Sequence, residues 1–261
     1  MAASFVGPSL TVNNEAAWDE AKLPLNPDEL VQKIMGQPMR RAGRFIKLVC
    51  CGALACLQGV SRETLRGKNV GIFLATGLGN VDEILPFITQ VFKHDGGFPS
   101  PNQFANSVSN AAAFFLARVA DIKGVVLTVS EEEMSFESAM WLAQTYLESG
   151  EIDLALVGGC DVFTPTAAES RGRMNLTPDN SRGLPVGEGS SWLLLGHNSE
   201  KKLRDILAVR FASPRESGLF SGTEKKDSYF LPGFRIKEEQ IDAWKNKNWR
   251  LYDYLPCCGI H

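Results

Sequence analysis

"VVLTVSEEEMSFESAMW", residues Val125 to Trp141, is the stretch on which the fold turns. Val125 to Val129 is an unbroken apolar and β-branched run, the composition of a strand buried on both faces. From Ser135 the apolar positions return at helical spacing, so an amphipathic helix follows. Between the two lie Glu131, Glu132 and Glu133, where strand becomes helix. In many α/β enzymes this junction holds the reactive nucleophile, because the first turn of a helix offers unpaired N–H groups and the positive end of its dipole. This chain puts carboxylates there. By themselves they read as charge complementarity at a helix start, worth about 0.3–1 kcal/mol for each exposed carboxylate.

The flanking sequence repeats the alternation. Residues 1–25 are weakly patterned, and 27–60 carry a helical apolar period with Asn26-Pro27 as a start signal. "KNVGIFLATGLGN" contains a buried strand, Val70 to Ala75, that ends in a glycine turn and leads into the helical "VDEILPFITQVFKH". "GGFPSPNQ" is a proline-rich loop, after which "FANSVSNAAAFFLARVAD" reads as one small-residue helix. The helix that begins at Ser135 is followed by the strand "IDLALVGGCD", then a polar loop, residues 171–190, then the strand "SWLLLG". Strands alternating with helices at this spacing predict an α/β fold with a parallel sheet covered on both faces. Beyond Asn198 the pattern weakens: "KKLRDILAVRFAS" reads as a strand and "KEEQIDAWKNKNWRLYDYL" as a helix, with Trp244 and Trp249 available to cover the sheet.

Composition bounds the function. The 261 residues are 44% hydrophobic and 22% charged, enough to bury a sizeable core in one large domain or two small ones. A net charge of −3 argues against nucleic-acid binding, which needs a clustered basic excess. The one basic cluster, Arg40, Arg41, Arg44 and Lys47, has the spacing of a solvated or docking helix face. The cysteines, Cys50, Cys51, Cys56, Cys160, Cys257 and Cys258, lie mostly in apolar runs with no secretory signal ahead of them. They are expected to be reduced core thiols of a cytoplasmic protein. Neither they nor His94, His197 and His261 have the paired spacing of a metal site, so no metal is expected. No apolar run approaches the roughly 20 residues of a membrane span.

Two further motifs have plain readings. "ATGLGN" follows a strand and opens a helix as a dinucleotide-binding turn would, but it lacks the third glycine and the distal acidic residue, so a structural tight turn is expected. "GEGSS" around Ser190 lacks the spacing of a hydrolase elbow and precedes a strand.

The order of the motifs carries more than any one of them. "GIFLATGLGN", "PSPNQFANSVSNAAAFFLA", the strand-turn-helix at Glu133, "GEIDLALVGGCD" and "GLPVGEGSSWLLL" together resemble the N-terminal half of β-ketoacyl synthases, over roughly residues 40–198. The resemblance implies the thiolase-like layered fold (αβαβα), truncated mainly to that half. It implies a ketosynthase-like domain over 1–198 and a short divergent extension over 199–261. In the family this turn carries the nucleophilic cysteine, in a pattern of Ala-Cys-x-Ser-Gly type. Counted forward from Gly124 and back from Ala139 and Ala143, Glu133 stands at the cysteine, Ser135 matches the serine, and Phe136 replaces the glycine. A carboxylate cannot take an acyl chain as a thioester, so condensation has no nucleophile here. The family's two histidines, which bind and help decarboxylate a malonyl thioester, have no counterpart in His197 or His261.

The resemblance narrows to the chain length factors, cysteine-less partners of active ketosynthases in type II polyketide and aryl polyene systems. It implies a heterodimer or heterotetramer with such a ketosynthase, service by an acyl carrier protein, and no cofactor. The strand Val125, Val126, Leu127, Thr128 and Val129 would pair edge to edge across the interface, beside the small-residue helix from Ser107 to Ala117. Phe104, Val108, Ala112, Phe114 and Phe115 would gate the acyl tunnel. Two alternatives remain: a malonyl-thioester decarboxylase or other thiolase-fold enzyme using Glu133 or Ser135, and an acyl-thioester or acyl-carrier-protein binding module.

Overall fold

A computed structural model describes residues 2–6, 24, 26–93, 100–163, 172, 177, 187–197, 229–230 and 250–251. Among these residues the main sheet has five strands: β1 (Ala2–Val6), β2 (Val70–Ala75), β3 (Val126–Val129), β4 (Leu154–Asp161) and β5 (Gly189–Gly196), in the order β1-β5-β4-β2-β3. β3, β2 and β4 are parallel, in the register Phe73 with Leu127 and with Val157. The sheet is not wholly parallel, as the alternation had predicted: β5 runs antiparallel to β4, and β1 antiparallel to β5. β1 falls in the segment read as weakly patterned, because a five-residue strand is too short for a period to stand out.

Helices cover both faces. On one lie α1 (Asp28–Met35), α2 (Arg44–Gln58) and α6 (Asn110–Val119), whose Phe45, Ile46, Leu48, Val49 and Leu116 pack in one buried cluster with Ile72, Leu74, Leu156 and Trp192. On the other lies α7 (Ser135–Glu148), where Ala139, Ala143 and Leu147 meet Phe73, Ala155 and Val157. Each large apolar side chain removed from water here contributes about 1.5–3 kcal/mol. Close packing depends on two glycines. Gly52 of α2 faces β5, where an added Cβ would lie 2.8 Å from the Trp192 ring, and a Cβ at Gly158 would enter the Trp192 indole itself. The indole N–H donates to Ser190 Oγ at 2.8 Å, so Ser190 serves packing, as its lack of elbow spacing suggested.

Two expected helices are each broken in two. The 27–60 segment starts as expected, with the Asp28 N–H donating to Asn26 Oδ1 at 3.0 Å, but it stops at Gly36, whose φ of 70° only glycine takes cheaply. A short α3 (Arg62–Leu65) follows α2, its Ser61 cap accepting from the Thr64 N–H at 3.3 Å. The small-residue helix divides into α5 (Pro101–Ser107) and α6, with Val108 extended between them. Ser107 Oγ donates back to the Phe104 carbonyl at 2.8 Å, the local competition that makes serine a poor helix interior residue. α4 (Val81–Lys93) runs where expected.

Farther on, β6 (Tyr229–Phe230) and β7 (Arg250–Leu251) pair in parallel, so residues 250–251 are strand where a helical period had been read. The strand expected in 201–213, the tail tryptophans, the 198/199 boundary, His94, His261, Cys257 and Cys258 lie outside the described residues. No described helix is long and apolar enough to cross a membrane.

Candidate functional site

The parallel strands β2 and β3 each end in a turn that opens a helix, and the two turns touch. After β2, the turn Thr76 to Asn80 is closed by Asp161 from the end of β4. Its carboxylate accepts from Thr76 Oγ1 at 2.8 Å, the Gly77 N–H at 3.0 Å and the Leu78 N–H at 3.1 Å. The Gly79 N–H donates to Thr76 Oγ1 at 2.9 Å. A phosphate would need those same N–H groups. They are satisfied internally, which agrees with the tight-turn reading of "ATGLGN".

After β3 comes a single 3-10 turn, Glu132–Met134, that runs straight into α7. Glu132 has a φ of 50°, an unfavourable conformation for a residue with a Cβ. Ser135 holds the turn in place. The Glu131 N–H donates to its Oγ at 2.8 Å, and that hydroxyl in turn donates to the Glu132 carbonyl at 2.6 Å, with the Thr76 carbonyl at 3.1 Å. Ser135 is buried, and its one proton is committed to backbone oxygen. The neighbouring turn packs directly on this one: a Cβ on Gly77 would stand 3.3 Å from the Glu132 carbonyl oxygen. Glu133 occupies the middle of the turn, at the head of α7.

Glu131 and Glu132 face solvent. Ser138, one turn into α7, donates its hydroxyl to the Glu131 carboxylate. The pair borders an open hollow of about 590 Å³ lined by Thr128, Val129, Ser130, Trp141 and Leu142, between the C-terminal end of β3 and α7. Half of Trp141 remains exposed there. The sequence reading missed this pair. Its signal was the seven-residue separation of Glu131 and Ser138 across a strand-to-helix junction, which matters only once the turn folds α7 back.

The expected tunnel residues occupy different surroundings. Phe104 lies on α5, exposed, with its ring 5.7 Å from that of Phe87 on α4. Phe114 is 64% exposed on α6, Val108 is exposed between the helices, and Phe115 packs toward the α2 side of the core. Ala112 is fully buried in that core. Among the described residues the expected interface strand is the sheet's last: β3 has β2 on one side, and its four residues are half-buried. Val125, Leu127 and Val129 pack toward α7, Val126 toward α6.

The basic cluster departs from its reading as one helix face. α2 begins only at Arg44, and Arg41 takes a φ of 67° in the preceding loop. Arg44 is a partly buried structural cation. It pairs with Asp82 at the start of α4 and with the wholly buried Glu188, and it donates to the Phe163 carbonyl at 2.6 Å. The Phe163 N–H completes the node by donating to Glu188 Oε2 at 2.7 Å. Lys47 pairs with Asp28 at 2.6 Å. Nearby, burial and the Asp82 charge raise the Glu83 carboxyl above its ordinary value, against the lowering effect of Lys47.

Cys50, Cys51, Cys56 and Cys160 are buried free thiols, as expected. Burial pushes Cys51 up to about 12 and Cys56 up to about 11. They are poor nucleophiles at neutral pH. Among the described residues, no group of three or more His, Cys, Asp or Glu side chains is placed to hold a metal ion.

A layered α/β domain with two touching strand-to-helix turns at the carboxyl ends of parallel strands is thus in place. Residues 13–200 match the family "Beta-ketoacyl synthase, N-terminal domain", and the chain belongs to that family. Among solved structures it is similar to the ishigamide ketosynthase/chain length factor, at 19% identity and a TM-score of 0.57, over 78% of this chain and 62% of that one. A ketosynthase in complex with its chain length factor from Xenorhabdus doucetiae matches at 20% identity and 0.55, over 77% and 79% of the two chains. A β-ketoacyl synthase from Burkholderia phymatum STM815 matches at 22% and 0.52, over 67% and 46%. These likenesses establish the thiolase-like ketosynthase fold, over its N-terminal part. The chain spans less than two thirds of the first neighbour's length. No curated protein matches the sequence.

Proposed function

We propose that this chain is a non-catalytic ketosynthase-like subunit of the chain-length-factor kind. It pairs with an active β-ketoacyl synthase and shapes the acyl tunnel during type II polyketide, aryl polyene or fatty-acid-like elongation on an acyl carrier protein. Residues 1–198 form the ketosynthase-like part and 199–261 an extension, in a cytoplasmic protein.

One observation carries the reading: the turn where the family keeps its nucleophile has Glu133 in its place, while the neighbouring hydroxyl of Ser135 is spent on the backbone. A carboxylate forms no stable acyl thioester, and a buried hydroxyl whose proton is donated to a backbone carbonyl is not poised to attack one. The half-buried strand β3, at the sheet's edge among the described residues, supports a partner, since an apolar strand edge left open invites pairing. The Xenorhabdus doucetiae neighbour is a ketosynthase in complex with its chain length factor, and the same kind of pairing is the reading here.

The test is native mass spectrometry of the chain co-expressed with an active ketosynthase from the same genome. A stable one-to-one complex is expected. Glu133→Ala should leave condensation by that complex unchanged, and Phe104→Ala, Phe114→Ala or Phe115→Ala should lengthen its product. Loss of all turnover in Glu133→Ala, or thioester decarboxylation by the isolated chain, would move the reading to an enzyme that uses Glu133. Carrier-protein binding with no ketosynthase complex would move it to a binding module.

A further inference from the structure

We infer that the hollow beside β3 is a binding site for a primary alkylammonium, whose charged head rests on the Glu131 carboxylate and whose aliphatic stem lies on Trp141 and Leu142. This goes beyond the proposed function, which gives the hollow no ligand.

Two elements that meet at the turn build the site. Ser138, Trp141 and Leu142 stand at i, i+3 and i+4 on α7 and so share one face of the helix. That face lines the hollow together with Val129, Ser130 and Glu131 from the end of β3 and the turn. The Ser138 hydroxyl donates to Glu131 Oε2 and fixes the carboxylate beside the helix, one turn before Trp141. Its other oxygen has no partner among the described residues, and the carboxylate makes no ion pair with them. An anchored negative charge thus stands next to a half-exposed aromatic wall.

The backbone adds an acceptor. The Val125 and Val129 carbonyls accept from the Ile72 and Thr76 N–H groups of β2 at 2.8 Å and 3.0 Å. Peptide groups alternate along a strand, so the Thr128 carbonyl turns away from β2, where among the described residues no further strand pairs, and Thr128 lines the hollow. An ammonium head carries three N–H donors and no acceptor. Glu131, the Thr128 carbonyl and the Ser130 hydroxyl supply the complement.

Charge sets the sign of the ligand. No Lys, Arg or His occurs between Lys123 and Arg171, the stretch that supplies β3, the turn, α7 and β4, while Glu131, Glu132 and Glu137 are all exposed around the turn. Such a surface draws cations and repels phosphates and carboxylates. The apolar walls, Val129, Trp141 and Leu142, choose a cation that carries carbon over a bare metal ion, which needs oxygen ligands around it. A cation over an indole face gains further attraction from the ring.

The experiment is an NMR titration of the full chain with hexylammonium, and with hexan-1-ol as its neutral analogue. The Trp141 indole N–H resonance, assigned by its loss in Trp141→Phe, should shift saturably with a Kd of about 1–10 mM. That of the buried Trp192 should stay in place. Hexan-1-ol should bind at least about tenfold more weakly. Glu131→Gln, which keeps an acceptor for Ser138, should weaken hexylammonium roughly tenfold, and Trp141→Leu, read on the Leu142 amide, about two- to fivefold. Repeated on the chain in complex with a ketosynthase, the same shift assigns the site to a free amine, and its loss there assigns it to a lysine side chain of the partner. No saturable shift in the free chain, equal affinity for hexan-1-ol, or an affinity unchanged by Glu131→Gln would overturn the inference. A ketosynthase complex that forms while the free chain shows no such shift would overturn it and leave the proposed function standing.

Discussion

The two turns at the carboxyl end of the sheet solve the same problem in opposite ways. Each must connect a parallel strand to a helix and satisfy the N–H groups exposed there. After β2 the carboxylate comes from another strand: Asp161 is buried and collects two backbone N–H groups and a hydroxyl. After β3 the lock is the neutral hydroxyl of Ser135, and Glu131 and Glu132 point to solvent. In the first turn a buried charge locks the backbone; in the second a hydroxyl does so, and the Glu131 carboxylate takes Ser138 at the surface. A strand-to-helix turn thus marks a candidate site only when its own donors and charges are not already taken.

The contrast breaks most visibly at Asp161. Asp161→Ala strips the β2 turn of its acceptor and should cost about 3 kcal/mol or more, read as a fall in urea midpoint. The β3 turn should prove less expensive, because a neutral lock replaces a charged one. Ser135→Ala is expected to cost about 1–2 kcal/mol in the same assay. A loss as large as that of Asp161→Ala would show that the two turns form a single cooperative unit through the Thr76 and Glu132 carbonyls. Glu131→Gln, on the solvent side of the turn, should change stability by less than about 0.5 kcal/mol. A larger loss would place its carboxylate in the fold's own economy, like that of Asp161.

The smallest effect is a pH dependence on the helix that follows the closed turn. The Glu83 carboxyl is raised in the folded protein, so the fold holds its proton more tightly than the unfolded chain does. Its contribution is complete below the ordinary carboxylate value and is lost as pH rises through the raised one. Glu83→Gln should therefore match the wild type in thermal melts at acid pH and melt slightly higher at neutral pH. No gain on going from acid to neutral pH would contradict the assigned burial.

How much was legible in the sequence differs between these regions. β2, β3 and β4 were each found as apolar runs, since a strand covered on both faces needs nothing else. The turn after β2 was read as structural because its glycine spacing fails the nucleotide pattern, yet nothing in "GGCD" says that its aspartate closes a turn 84 residues upstream. Arg44 was misplaced for the same reason. Local spacing put it on a solvated face, but its partner Glu188 lies 144 residues away. The break at Val108 was also invisible, because an apolar period continues across it while the Ser107 hydroxyl beside it competes for the backbone.

The sequence by itself determined the alternation of strand and helix, the family, and the run of glutamates at the turn after β3. Those are local facts, fixed by side-chain type and by order along the chain. Only the tertiary structure decided that β5 runs against β4, that Ser135 is spent on the backbone, that Glu131 meets Ser138 beside an open hollow, and that β3 is the last strand of the sheet among the described residues. Each depends on segments brought together by packing or by the fold of a turn, where the cost of a buried polar group selects the partner and no spacing rule records the choice.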